Sequence, residues 1–235
     1  MKHQKITGHL FILGALGVFV PYTILTMTFN YPDVLRQDAG EVLTKFYQGG
    51  NGLIMTWWLF AILGLPLLIA YVQLGKQIGS ITNSSNWLTS IGVIGLIVQM
   101  IGLLRWTFVV PILANNFVFG DDVGKEVSKA LFQVVHQYGG VVLGEHLGQL
   151  FTIIWVVGTT KILHDLKIAP MWLTLPGYVS SLIYLLAQGE LFATVIPSFP
   201  VWDLAGPLGS TLWLIWTTAL GILLLTQKPS YNLSN

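Results

Sequence analysis

The chain has 235 residues, 54% hydrophobic and only 9% charged, with a formal net charge of +1. Soluble domains carry about 25% charged residues, so this chain lacks the polar surface to cover a water-soluble globule, and its mean hydropathy of +0.71 agrees. The balanced charge leaves no basic stripe for nucleic acid, and the absence of cysteine excludes disulfides, Cys-ligated zinc and thiolate nucleophiles.

A helix needs roughly 20 mostly apolar residues to cross the hydrocarbon core of a bilayer. The first such stretch, 6–29, follows Lys2 and Lys5 in the manner of a signal peptide. It is longer than the usual apolar region of about 7–15 residues and no small-residue cleavage site closes it, so it reads as a retained span. Five more spans are expected at 52–74, 87–113, 131–160, 171–188 and 207–226. Polar or Gly/Pro/Asn-rich joints separate them, such as 79–86 with its Asn83-Ser84-Ser85-Asn86 run. Membrane barrels announce themselves by alternating strands of about ten residues, which this chain lacks. The expected fold is all-α: one domain over 1–235, forming a six-helix transmembrane bundle.

Lysine and arginine set the orientation of such a bundle. With the N-terminus in the cytoplasm, the inner segments hold six bases: Lys2, Lys5, Lys76, Lys161, Lys167 and Lys228. The outer segments then hold four, namely Arg36, Lys45, Lys125 and Lys129, together with eight of the ten acids. Both termini are therefore expected in the cytoplasm, as in a multi-pass protein of a bacterial inner membrane. The longer polar segments, 31–51 and 115–130, fall outside, and the second has the composition to extend the fourth helix outward.

A threefold repeat is suggested by two recurrences. The odd spans approach their outer ends through Phe19-Val20-Pro21, Val109-Val110-Pro111 and Val195-Ile196-Pro197. The even spans carry Gly and Trp seven residues apart, at Gly50 and Trp57, Gly148 and Trp155, Gly209 and Trp216. Three tandem helical hairpins would produce this pattern; so would chance in helices rich in Gly and Trp. In the fourth span, Gly140, Gly144 and Gly148 form a ladder of small residues that admits a close helix neighbour.

The fourth span also carries Glu145 and His146, ionisable residues far from either end of an apolar stretch. Such groups usually face protein or a watery cavity, because an unpaired charge in hydrocarbon costs several kcal/mol. At 100° per residue, Tyr138, Glu145, Gln149 and Thr152 share a stripe about 60° wide, with His146 on its flank and His136 pointing elsewhere. Arg105 on the third span lies within about 3 Å of the depth of Glu145 when both are counted from the inner ends, which makes a direct pair feasible. The alternative places Arg105 snorkelling to the headgroups beside Trp106 as an interface aromatic.

Metal and haem chemistry are not expected. His136 and His146 are ten residues apart, roughly 15 Å along one helix, and no HExxH spacing is present. Hydrolase and ATPase signatures are missing as well. A ligand or proton pathway fits better, with Arg105 and Glu145 gripping a small polar ligand while Tyr138, His146 and Gln149 tune the fit.

The segments Leu104-Arg105-Trp106 through Pro111, and His136-Gln137-Tyr138-Gly139-Gly140 through Gly144-Glu145-His146-Leu147-Gly148, resemble a bacterial family of six-span integral membrane proteins of unknown function. The resemblance implies that Arg105, Trp106, Pro111, His136, Tyr138, Glu145 and His146 belong together, and it implies no activity. The site residues expected are Arg105, Trp106, His136, Tyr138, Glu145, His146 and Gln149, with no metal and no cofactor. The expected partners are membrane lipid and a small polar or lipid-like ligand, with a homodimer as a source of a further interface and no role for nucleic acid. Binding, with transport as its extension, is the leading reading. The alternatives are an intramembrane enzyme using Glu145 and His146 as acid and base, and a sensor or accessory subunit whose buried charges only hold helices in register.

Overall fold

The computed structural model describes residues 2–81 and 86–227. The Asn83-Ser84-Ser85 part of the inner joint and Lys228 of the inner charge count lie outside the described residues. Among those described there is no strand, and helix accounts for nearly all of the chain. Five helical stretches are long and apolar enough to cross a membrane: His3–Phe29, Ala39–Gly79, Trp87–Phe119, Asp122–Asp165 and Ala205–Thr226. The protein is an all-α, multi-pass membrane bundle.

The element order is α1 (Lys2–Phe29), α2 (Ala39–Ile62), α3 (Leu65–Gly79), α4 (Asn86–Phe108), α5 (Val110–Phe119), α6 (Asp122–Val135), a π-helical segment (His136–Leu147), α7 (Gly148–Asp165), α8 (Met171–Leu186), α9 (Gln188–Ala193) and α10 (Ala205–Thr226). The expected fifth span becomes α8 and α9. Helix α8 has 16 residues, about 24 Å of rise, which is short of the hydrocarbon thickness of about 30 Å. It is the one expected span that falls short of the length needed to cross.

Both long polar segments are largely helical. Asp38 caps α2, its Oδ1 accepting from Gly40 N at 2.8 Å, and Asp121 caps α6 by accepting from Gly124 N at 2.8 Å. Each satisfies a backbone N–H that the first turn leaves without a partner. A short 3-10 turn, Asp33–Arg36, precedes the first cap. Helix α2 breaks at Gly50, whose φ of 56° and ψ of −155° suit glycine alone.

Two compact units emerge, built from interleaved stretches of the chain. Unit 1 comprises Met1–Leu16, Leu65–Gly95 and Leu150–Asn235; unit 2 comprises Gly17–Gly64 and Leu96–Gln149. Helices α1, α4 and α7 contribute residues to both, so the division is not a boundary in sequence.

Unit 1 is held by small residues and shared polar groups, the usual adhesive where lipid removes the hydrophobic drive between helices. Buried Thr7 donates to Gln73 Oε1 at 2.9 Å and accepts from Gln77 Nε2 at 2.7 Å. Gly8 and Gly221 bring the backbones of α1 and α10 together, since a Cβ on Gly221 would stand 2.8 Å from Gly8 O. Tyr71 stacks on Trp155 with centroids 3.5 Å apart, and Trp155 meets Trp216 edge-on at 6.0 Å. Trp216 also donates to Leu173 O at 3.1 Å.

Unit 2 has an aromatic core of Phe29, Phe46, Trp57, Phe60, Trp106 and Phe132. Trp57, Trp155 and Trp216, the tryptophans of the sequence recurrence, are all almost fully buried. The three prolines differ from one another: Pro21 lies inside α1, Pro111 opens α5, and Pro197 sits in a turn beyond α9.

Gly221→Ala is expected to destabilise the protein by about 1–3 kcal/mol, the usual cost of overpacking, in detergent melting experiments. Gly52→Ala is the control, because nothing lies within 4 Å of the added methyl; it is expected to be neutral or slightly stabilising.

Candidate functional site

The site is built where α4 meets the π-helical segment, within unit 2. Helix α4 presents Gln99, Gly102 and Arg105 at intervals of three, which fall on one face. The glycine ladder meets this face in antiparallel order. Gly148 lies against the Gln99 side chain, Gly144 against the Gly102 backbone, and Gly140 against the Arg105 guanidinium. A Cβ on Gly102 would stand 2.7 Å from Gly144 Cα, so Gly102 has no room for a side chain. Gln99 Nε2 donates to Gly148 O at 3.1 Å.

The π-helical segment spans 12 residues, His136–Leu147, and contains the whole His-Gln-Tyr-Gly-Gly to Gly-Glu-His-Leu motif. Most π-helical pieces are single turns, and they occur frequently at functional sites. Their i→i+5 bonds take about one more residue per turn than an α-helix, and this changes which residues share a face. The stripe expected from 100° steps is lost: Tyr138 is 64% exposed while Thr152 is 1% exposed. Glu145, His146 and Gln149 are half-buried. His136, expected to point away, is instead brought to Arg105.

Arg105 is 8% exposed. Its Nη1 donates to Gly102 O, and its Nη2 lies 3.4 Å from His136 Nδ1. The guanidinium carbon stands 5.3 Å from the ring centroid of Trp106, in range for a cation–π contact. Arg105 Nε is buried without a hydrogen-bond partner. Snorkelling is therefore not what this arginine does. Trp106 is not an interface aromatic either: it is fully buried and stacked on Trp57, with centroids 4.7 Å apart and planes at 10°.

His136 is fixed on its other side by stacking on Phe132 at 5.5 Å. Since an arginine can only donate, Nδ1 must be the acceptor and Nε2 carries the proton. That ring nitrogen is buried without a hydrogen-bond partner.

Glu145 does not pair with Arg105. Its Oε2 lies 3.3 Å from Arg36 Nη2, with 31% of the arginine side chain and 21% of the glutamate side chain exposed. Among the described residues no carboxylate comes within 4.0 Å of Arg105. Glu145 and Arg36 nonetheless lie within electrostatic reach of it. The structure thus joins Arg105, Trp106 and His136, and adds Glu145 through Arg36.

Sequence reasoning missed Arg36, Gln99 and Gly102. Arg36 was counted only as a loop charge, and nothing local ties it to a residue 109 positions away. The i, i+3, i+6 spacing of Gln99, Gly102 and Arg105 was a usable signal. Among the described residues no group of three or more His, Asp or Glu side chains has the arrangement to hold a metal ion.

Residues 6–221 match a family described as a domain of unknown function, DUF4386. The chain belongs to this family. No curated protein and no solved structure matches the chain.

Gly140→Ala is expected to push the guanidinium from its seat and cost about 1–3 kcal/mol in detergent melts. In an Arg105→Ala background the same methyl is expected to be nearly neutral, because coupled neighbours are non-additive.

Proposed function

We propose that unit 2 binds a small polar or lipid-like ligand at the Arg105, His136 and Glu145 constellation. The protein around it is proposed to reside in a bacterial inner membrane with both termini cytoplasmic, as the lysine bias supports. One observation carries the binding proposal: Arg105 is almost wholly buried, yet no carboxylate among the described residues comes within 4.0 Å. A buried charge left without a close partner is expensive, and a site kept for a ligand is one reason to bear that cost.

In this reading Arg105 and His136 grip the ligand, and Trp106 forms an aromatic floor beneath the guanidinium. Glu145 and Arg36 form the rim, where their partial exposure supports access. His146 and Gln149, close to Glu145 in the chain, and Tyr138 complete the fit. Binding of this kind is also the first step a carrier requires. The acid–base alternative through Glu145 and His146 has less support, because Arg36 already engages the Glu145 carboxylate.

A second reading has its own observation. Arg105 fills the space beside Gly140 and holds Gly102 O, so it could serve solely to secure the π-helical segment against α4. Native mass spectrometry of the purified protein separates the two. The binding reading expects a retained small molecule or lipid that is lost in Arg105→Gln, with the variant still folded by melting analysis. A wild-type protein that carries nothing and takes up nothing supports the structural role.

A further inference from the structure

We infer that the group recognised at this site is an anion, a carboxylate or phosphate, which binds Arg105 and Arg36 in place of the Glu145 carboxylate. The inference rests on the ligand-binding reading above and specifies its chemistry.

The first support is the direction of the unmet hydrogen bonds. Arg105 Nε, Trp106 Nε1 and Trp57 Nε1 are all buried without partners. Each is an N–H group that can donate and cannot accept. A buried donor left unsatisfied costs about 1–3 kcal/mol, and native structures rarely tolerate several together without a water, ion or ligand to meet them. Trp106 and Trp57 are stacked on each other, and Arg105 lies over Trp106, so the three form one cluster. His136 adds no acceptor, because its Nδ1 lone pair faces Arg105. What this cluster lacks is an acceptor. Ammonium groups and other pure donors have nothing to bond at these three N–H groups.

Charge gives the second support. Arg105 is a buried cation, and among the described residues no carboxylate comes within 4.0 Å of it. That positive charge has no close counterpart. A monoanion would cancel it.

The third support is the ion pair itself. Glu145 shows that a carboxylate can reach Arg36, yet the 3.3 Å separation exceeds the 2.7–2.9 Å usual for a strong charge-assisted bond. The pair is also partly exposed, and pairs of that kind contribute little to stability. An incoming anion with a better fit can displace Glu145 at modest cost, and would then lie on the arginine nearest the unmet donors. Glu145 is thus a competitor of the ligand. That fixes the sign of a mutation.

The test measures binding by tryptophan fluorescence on the full-length protein in detergent. The probes are inorganic phosphate, acetate, phosphatidylglycerol, phosphatidylcholine and tetramethylammonium. Saturable binding of at least one anionic probe is expected. Glu145→Gln is expected to tighten it about threefold to tenfold, as loss of a competing partly exposed pair allows. Arg36→Gln and Arg105→Gln are expected to weaken it, the latter by about ten- to a hundredfold, as for a lost bond to a charged group. Because Arg105→Gln could unfold the protein, the Glu145 and Arg36 variants decide independently. Phosphatidylglycerol binding without phosphate or acetate binding assigns the anion to a lipid headgroup; the converse assigns it to a soluble anion, and either supports the inference. Weakening by Glu145→Gln, or binding confined to tetramethylammonium or phosphatidylcholine, overturns the anion assignment and leaves the binding reading standing. No binding by any probe, with nothing retained from the cell, overturns both.

Discussion

The seating of one guanidinium against one glycine organises the better-marked half of this molecule. Arg105 can be buried only because Gly140 has no side chain, and a Cβ there would overlap the guanidinium. That contact fixes the register between α4 and the following motif. From it follow the backbone contact of Gly102 with Gly144 and the Gln99 bond to Gly148 O. Small residues at a helix interface let backbones approach where lipid offers no hydrophobic drive, and here the same glycines admit a charged side chain.

The π-helical conformation of His136–Leu147 fits this arrangement. Three of its 12 residues, Gly139, Gly140 and Gly144, have no Cβ, and glycine is the residue least committed to α-helical packing. The wider turn brings His136 to Arg105 while Glu145 meets Arg36 in the 3-10 turn. Charge from the segment between α1 and α2 is thereby tied to charge inside the helical unit. In unit 1 the buried contact of Thr7 with Gln73 and Gln77 joins neutral groups, the Lys161–Asp165 ion pair lies on an exposed face, and the aromatic stacks are those of a packed interior.

Much of the architecture was legible in the sequence, because hydropathy and segment length act locally. Five expected spans coincide with helices long enough to cross, and only 171–188 gives a shorter one, where α8 ends at Leu186. The polar stretches 31–51 and 115–130 were harder, since composition marks them as wet without saying that Asp38 and Asp121 would cap helices inside them. At the site, Glu145, His146 and Arg105 stood out as ionisable residues costly to leave in lipid, while Trp106 and His136 were marked by the family resemblance. Their pairing was not legible. The facing of Tyr138, Glu145 and Thr152 rested on α-helical steps that a π-helix does not follow, and Arg36 reached Glu145 through tertiary structure alone. The Gly140, Gly144 and Gly148 spacing identified a close helix contact, while the identity of the group lying against Gly140 required the fold.

The most direct test of this arrangement is an experimental density map of residues 99–148 in lipid nanodiscs, at a resolution that shows backbone carbonyls. The expected result is i→i+5 bonding across His136–Leu147, with the Arg105 guanidinium seated beside Gly140. A straight α-helix through the motif, with Arg105 extended toward the headgroups, would contradict it.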